Sequence, residues 1–268
     1  VRQRPDLSAV PPPALPAAWL TAVLPSVEEN LALDEALLEL AHEGLATTTC
    51  VRTWMAAEPA IVLGSSSRVE EEIDPAFCEA AGVRVVRRPS GGATVVLGPG
   101  CLMWSVITPH PENVPPVEAI HAAMLEPLAA ALSAALPAAG CHAGRRVARR
   151  GTSDLAVIEA GDDGHERKVS GNALRVRRHG VLYHGTLLDS FDLGIVARVL
   201  RHPPREPDYR SHRSHGDFLA NLELGRETLE QIVRTAFNAT ISHGDWPRDR
   251  VARLVADRYA ASDWTSRL

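Results

Sequence analysis

Val83-Arg84-Val85-Val86-Arg87-Arg88-Pro89-Ser90-Gly91-Gly92-Ala93-Thr94-Val95-Val96-Leu97-Gly98-Pro99-Gly100-Cys101-Leu102-Met103-Trp104-Ser105-Val106-Ile107-Thr108 is the stretch whose reading decides the fold class. Three short runs suited to strands, Val83–Arg87, Thr94–Leu97 and Leu102–Thr108, are parted by Ser90-Gly91-Gly92 and Gly98-Pro99-Gly100. Glycine and proline clusters between β-branched runs are turn signals, and this spacing predicts antiparallel strands and hairpins rather than strand–helix–strand units. Upstream, Val51–Met55 and Ala60–Leu63 repeat the pattern around Glu58-Pro59, with Gly64-Ser65-Ser66-Ser67 beyond.

Helices flank these runs. Ser26 is a suitable N-cap for a helix reaching His42, with Glu28 and Glu29 in its first turn, an apolar face of leucines and Gly44 as its stop. Pro115–Leu136, rich in alanine and leucine, reads as a second long helix. A polar segment with Gly140, Gly144, Arg145, Arg146, Arg149 and Arg150 follows, then a strand at Asp154–Ile158 and a turn at Gly161-Asp162-Asp163-Gly164. Lys168–Val176 and Val181–Leu188 form a hairpin about Arg177-Arg178-His179-Gly180. Phe191–Leu200, Arg226–Phe237 and Arg248–Tyr259 read as shorter helices. The expected fold is α+β: a mainly antiparallel, curved sheet with helices packed outside. Residues 25–243 are expected to form one domain. A loosely ordered proline-rich leader spans 1–24 and a short helical tail spans 244–268.

Composition excludes several function classes. With a net charge of −5 and 4% aromatic residues, the chain is neither a general nucleic-acid binder nor a base-stacking surface. The four cysteines, Cys50, Cys78, Cys101 and Cys141, form no CxxC pair, which suits a reducing cytoplasm and supports no zinc ribbon. No apolar run is read as long enough to span a membrane. The basic residues are the anomaly: of 28, only Lys168 is a lysine. Arginine replaces lysine for surface charge, but not for a compact, rotatable point charge on a flexible stem.

Three segments can carry chemistry. In Arg87-Arg88-Pro89-Ser90-Gly91-Gly92-Ala93-Thr94, paired glycines let backbone amides approach a ligand, and arginines can meet carboxylate or phosphate oxygens. A β-turn with solvated arginines is the plain alternative. In Lys168-Val169-Ser170-Gly171-Asn172-Ala173, followed by Arg175, strict strand alternation would place Lys168, Ser170 and Asn172 on one face. His184, in Tyr183-His184-Gly185-Thr186-Leu187-Leu188, has no acidic partner assignable from sequence.

Taken in order, Arg87-Arg88-x-Ser90-Gly91-Gly92, Lys168 to Ala173 and His184-Gly185-Thr186-Leu187-Leu188 resemble the lipoate-protein ligase A family. Asn30-Leu31-Ala32-Leu33-Asp34-Glu35-Ala36, Gly151 to Asp154 and Arg210–Leu222 are similar to further segments of it, so the resemblance covers about residues 26 to 222. It implies the catalytic-domain fold of biotin and lipoate ligases. The implied activity uses ATP to convert lipoate to lipoyl-AMP and passes the acyl group to a lysine of a lipoyl-carrier protein. By the resemblance, Arg88, Ser90, Gly91, Gly92 and Ala93 line the acyl tunnel, and Arg175 and His184 belong to the same substrate site. Lys168 bridges the acyl carbonyl and the AMP phosphate. Ser170, Gly171, Asn172 and Ala173 flank the cofactor, and Asp154 contacts the nucleotide or its Mg2+.

Three departures are visible. Ala93 replaces the family's third glycine, Leu97-Gly98-Pro99-Gly100 replaces a His-Asp-x-Gly-Asn pattern, and the residues after 222 are too few for the family's separate accessory domain. Either a helper subunit completes activation or the protein only transfers lipoate or octanoate. The octanoyltransferases of this superfamily use a cysteine thioester. No cysteine follows Cys141, and arginines stand just before the Asp154 strand where one type places its nucleophile, so that role would need a loop shift to bring in Cys141, somewhat further upstream. A non-catalytic subunit that holds a lipoylated partner is the third reading.

Overall fold

The computed structural model describes residues 16–110, 112–136, 144–159, 166–203 and 205–268. Pro11-Pro12-Pro13, Gly140, Cys141 and the expected turn at 161–164 lie outside the described residues. The chain runs through β1 (Ala18–Leu20), α1 (Val27–His42), β2 (Cys50–Met55), β3 (Ala60–Leu63), α2 (Val69–Glu72), α3 (Pro75–Ala80), β4 (Arg84–Arg87), β5 (Val95–Leu97) and β6 (Cys101–Pro109). It continues through α4 (Val117–Ala135), β7 (Arg146–Arg150), β8 (Asp154–Ile158), β9 (Arg167–Arg177), β10 (Gly180–Leu188), α5 (Leu193–Val199) and a 3-10 turn at Asp208–Arg210. Then come α6 (His215–Phe218), α7 (Arg226–Ala236), β11 (Ile241–His243), α8 (Arg248–Leu254) with a wide turn at Val255–Tyr259, and α9 (Ser262–Thr265).

Eight strands form one sheet in the order β11-β1-β2-β6-β10-β9-β8-β7, and β4-β3-β5 form a second. The long central strands pair antiparallel, β2 with β6, β6 with β10 and β10 with β9. The expected mixed α+β fold is therefore present, but three parallel strand pairs depart from the spacing argument. β1 lies parallel to β2 and β11, and β3 lies parallel to β4. The chain passes from β3 to β4 through α2 and α3, which have four and six residues, too few for helical periodicity to show in sequence.

Alternation along β6 divides the interior. Leu102, Trp104 and Val106 enter the core shared with α4 and α7, while Cys101, Met103 and Ile107 enter the core shared with α1 and the small sheet. Both faces of the central sheet are thus buried, which explains strands that read as nearly continuous apolar runs. A capping box between Ser26 and Glu29 fixes the start of α1, a feature worth about 1 kcal/mol.

Two expectations are corrected. Residues 16–24 are not a loose leader, because Ala17 and Leu20 are buried and β1 is paired on both sides. Residues 244–268 are largely helical, with Val251 and Tyr259 seated in the core with α1. Val117–Ala135 is long and apolar enough to cross a membrane by length and composition. It nevertheless lays Leu125, Leu128 and Leu132 into the core between the sheet and α7. Arg146–Arg150 of the arginine-rich polar segment form strand β7, and several of the arginines are paired with carboxylates. Arg149 grips Glu118 through two bonds of 2.7 and 2.8 Å, Arg145 meets Glu159 at 2.7 Å, and Arg150 pairs with Glu166.

Candidate active site

A β-bulge decides what accompanies Lys168. Leu155 pairs with Ser170 but Ala156 pairs with Lys168, leaving Val169 as the extra residue. Val169 enters the core beneath α4. Ser170 Oγ donates to Asn172 Oδ1 at 3.1 Å, and Asn172 Nδ2 donates to the Ser153 carbonyl at 2.7 Å. The Asn172 amide lies over Gly185, where any Cβ would stand 1.7 Å from Oδ1. Lys168 instead shares the opposite face with Gly171, whose missing Cβ would lie 2.9 Å from Nζ. The expected grouping of Lys168, Ser170 and Asn172 is therefore corrected: one extra residue moves the lysine to the other face. The side chains of Ser170 and Asn172 serve the sheet, and Asn172 still borders the pocket.

Lys168 Nζ meets Asp154 Oδ1 at 2.8 Å, and Tyr209 Oη donates to Asp154 Oδ2 at 2.9 Å. Burial and the neighbouring carboxylate push the Tyr209 phenol well above its ordinary range, so it remains a donor. No motif pointed to Tyr209. The arrangement makes Asp154 the counter-ion that orients Lys168. A divalent ion on that carboxylate would stand against the ammonium, so the metal role expected of Asp154 does not fit. Among the described residues no three His, Cys, Asp or Glu side chains gather to hold a metal.

Two pockets meet at Lys168. The first is lined by Arg88, Gly92, Asp154, Ala173 and His184 together with Leu31, Val62 and Met103. The second is lined by Leu188, Phe191, Val196 and Phe218, with Glu72, Arg201, Arg205 and Arg210 among them. Ala93, Thr94, Gly171 and Thr186 border both. A single ammonium thus stands between an apolar cleft carrying cations and a larger mixed one.

The Ser90-Gly91-Gly92 loop is braced from behind. Arg88 is buried, and its guanidinium donates to Ser90 Oγ at 3.0 Å and to the carbonyls of Val62, Gly91 and Ala93 at 3.1, 2.7 and 2.9 Å. Burial depresses its pKa to about 10, with the Glu72 charge opposing that fall. Arg88 therefore shapes the loop from the pocket wall, with most of its donors committed to the protein. Gly92 adopts φ 88°, a conformation that favours glycine. Gly64 packs beneath it, where a Cβ would stand 1.9 Å from the Gly92 carbonyl oxygen. Gly64→Ala is expected to cost roughly 1–3 kcal/mol of stability by forced displacement of the loop. It should also weaken binding in the Arg88 pocket, as thermal melting and ligand titration would show.

Ser90 is fully buried and does not face the ligand space. Its Oγ lies 2.6 Å from His184 Nε2. His184 Nδ1 stands 3.6 Å from Asp34 Oδ2, beyond hydrogen-bonding distance, and has no hydrogen-bond partner among the described residues. Asp34 accepts from Arg52 at 2.6 Å and from Ser105 Oγ at 2.6 Å. Asp34 is the acidic neighbour of His184 that sequence could not assign, although an aspartate amid the leucines of α1 was its visible trace. Arg175 lies outside the two pockets and reaches the Pro89 carbonyl at 3.3 Å. Gly91 is open, with nothing within 4 Å of where a Cβ would stand.

A family model described as the lipoyl protein ligase A/B catalytic domain matches residues 26–241. Lipoate–protein ligase 1 of Staphylococcus aureus is 26% identical across 88% of this chain and 68% of that protein. Octanoyltransferase LipM of Carboxydothermus hydrogenoformans is 30% identical across 89% of this chain and 94% of that protein. A structure of the bi-partite lipoate protein ligase and its E2 lipoyl domain from Thermoplasma acidophilum superimposes with a TM-score of 0.72. That match has 19% identity and covers 94% of this chain and 96% of the other.

Proposed function

The chain belongs to the lipoyl protein ligase A/B catalytic-domain family, and from that premise we propose that it activates lipoate with ATP and transfers the acyl group to a lysine of a lipoyl-carrier protein. The observation that carries this reading is Lys168, oriented by Asp154 at the junction of two pockets. A carboxylate oxygen of lipoate attacks the α-phosphorus of ATP, the bond to pyrophosphate breaks, and lipoyl-AMP forms. The amine of the carrier lysine then attacks the acyl carbonyl, AMP leaves with the bonding pair, and the amine loses a proton. Negative charge develops on phosphate oxygens in the first step and on the carbonyl oxygen in the second. A fixed ammonium between the two pockets stabilises both. The acyl chain occupies the pocket bounded by Leu31, Val62 and Met103, and the triphosphate meets Arg201, Arg205 and Arg210. A Mg2+ bound with the nucleotide would offset triphosphate charge, and Asp154, already paired with Lys168, would not be its ligand.

Cysteine-based transfer is the second reading, favoured by the 94% coverage of the octanoyltransferase. The described cysteines do not support it. Cys50, Cys78 and Cys101 are absent from both pocket walls. Burial pushes the Cys50 and Cys101 thiols up to about 12, the opposite of an activated thiolate. Lipoate-dependent exchange of pyrophosphate into ATP is the expected result with this protein, alone or with a helper subunit. Acyl transfer from an octanoylated carrier without ATP, and no exchange, would overturn the ligase reading in favour of the transferase.

A further inference from the structure

Arg87 and Arg88 are adjacent at the end of β4 yet serve opposite sides of the loop. Arg88 turns toward the pocket. Arg87 is fully buried, and its hydrogen bonds all go to backbone carbonyls. Its guanidinium donates to the carbonyls of Gly64 and Ser67 at 2.8 and 2.7 Å, and twice to the carbonyl of Thr265 at 3.0 and 2.7 Å. The indole Nε1 of Trp264 donates to the Arg87 carbonyl at 2.8 Å. Arg267 donates to the Ser65 carbonyl at 2.6 Å, and the Ser65 amide in turn donates to the Ser90 carbonyl at 2.8 Å. The Trp264 ring carries the Arg258 and Arg267 guanidinium groups 4.7 and 3.8 Å from its centre. A buried guanidinium is tolerated only where its donors are met. Thr265 supplies two of those acceptances.

We propose that residues 262–267 are a positioning element for the substrate loop, holding Arg87 and Ser65 so that Arg88 and Ser90 stay in register with the acyl pocket. Two routes carry the effect: Trp264 and Thr265 through Arg87 to Arg88, and Arg267 through Ser65 to Ser90. The assignment of the acyl chain to that pocket rests on the function proposed above, whereas the control of the loop does not.

Trp264→Phe keeps a ring for the two guanidinium groups and removes only the N–H. Hydrogen exchange at the amides of Ser65 and Arg88, which donate to the Ser90 and Leu63 carbonyls, is expected to accelerate about fivefold, the scale of one lost hydrogen bond. Lipoate and octanoate affinity, measured calorimetrically, should fall by a similar factor while ATP affinity is unchanged. A general loss of stability would affect both ligands alike. Unchanged exchange at these amides, or faster exchange with unaltered acyl affinity, overturns the proposal. If the wild-type protein binds neither acid, the ligase reading fails and the exchange measurement alone decides the positioning role. Arg267→Ala, which removes the Ser65 contact from an exposed side chain, gives the same readouts should Trp264→Phe not fold.

Discussion

Lys168→Arg should lower formation of lipoyl-AMP and of lipoylated carrier by at least about a hundredfold, although it conserves charge. Nζ sits against Gly171, 2.9 Å from where a Cβ would lie, and bonds Asp154 at 2.8 Å. A planar, delocalised guanidinium does not reproduce that compact point charge. It also binds a carboxylate bidentately, so Asp154 would draw it away from the pocket junction. The remaining charge would be near the site but not aimed at the oxygens where negative charge develops. Mass spectrometry of the adenylate and of the carrier measures the effect, with thermal melting as the control for folding. A wild-type rate in this variant would remove Lys168 from the chemistry.

Asp34→Asn is expected to destabilise the protein more than Gly64→Ala, by about 3–5 kcal/mol, because it leaves a buried guanidinium unpaired. Arg52 is 0% exposed and depends on Asp34 Oδ1 at 2.6 Å and Asn30 Oδ1 at 2.6 Å. Burial pushes the Asp34 carboxyl up, but the Arg52 guanidinium, together with His184 and Ser105, pulls it down further, so it titrates below the ordinary carboxylate value. A carboxylate whose folded pKa lies below its unfolded one stabilises the protein above the unfolded value. That contribution is lost as pH falls through the folded value. The gap in unfolding free energy between wild type and Asp34→Asn should therefore be full near neutrality and narrow below about pH 4. Denaturant melts across that range test the sign. A gap that stays constant into acid would mean that the aspartate charge is not what holds Arg52.

The strand runs and the helices of sixteen and nineteen residues were legible because their signals are local. Apolar periodicity, Ser26 before Glu29, and glycine between β-branched runs each act over a few residues. β7 escaped because three of its five residues are arginines, and charges that outnumber the apolar residues conceal a strand. β1 and β11 escaped because three residues are too few for a pattern. At the site, the motif residues Arg88, Gly92, Asp154, Lys168, Ala173 and His184 do converge on one pocket. Their tasks were less visible. Arg87 and Arg88 read as anion binders, yet both spend their donors largely on backbone carbonyls.

By itself, the sequence determined which groups were available: one compact ammonium among arginines, a paired-glycine loop, and a histidine on a buried strand. Only the tertiary structure decided their partners. One extra residue in β9 turns Lys168 toward Asp154, and the sheet order sets Ser90 2.6 Å from His184, 94 positions later in the chain. The physical reason is that residue type and short-range pattern fix what a side chain can do. Strand register and the stacking of distant elements fix what stands within reach of it.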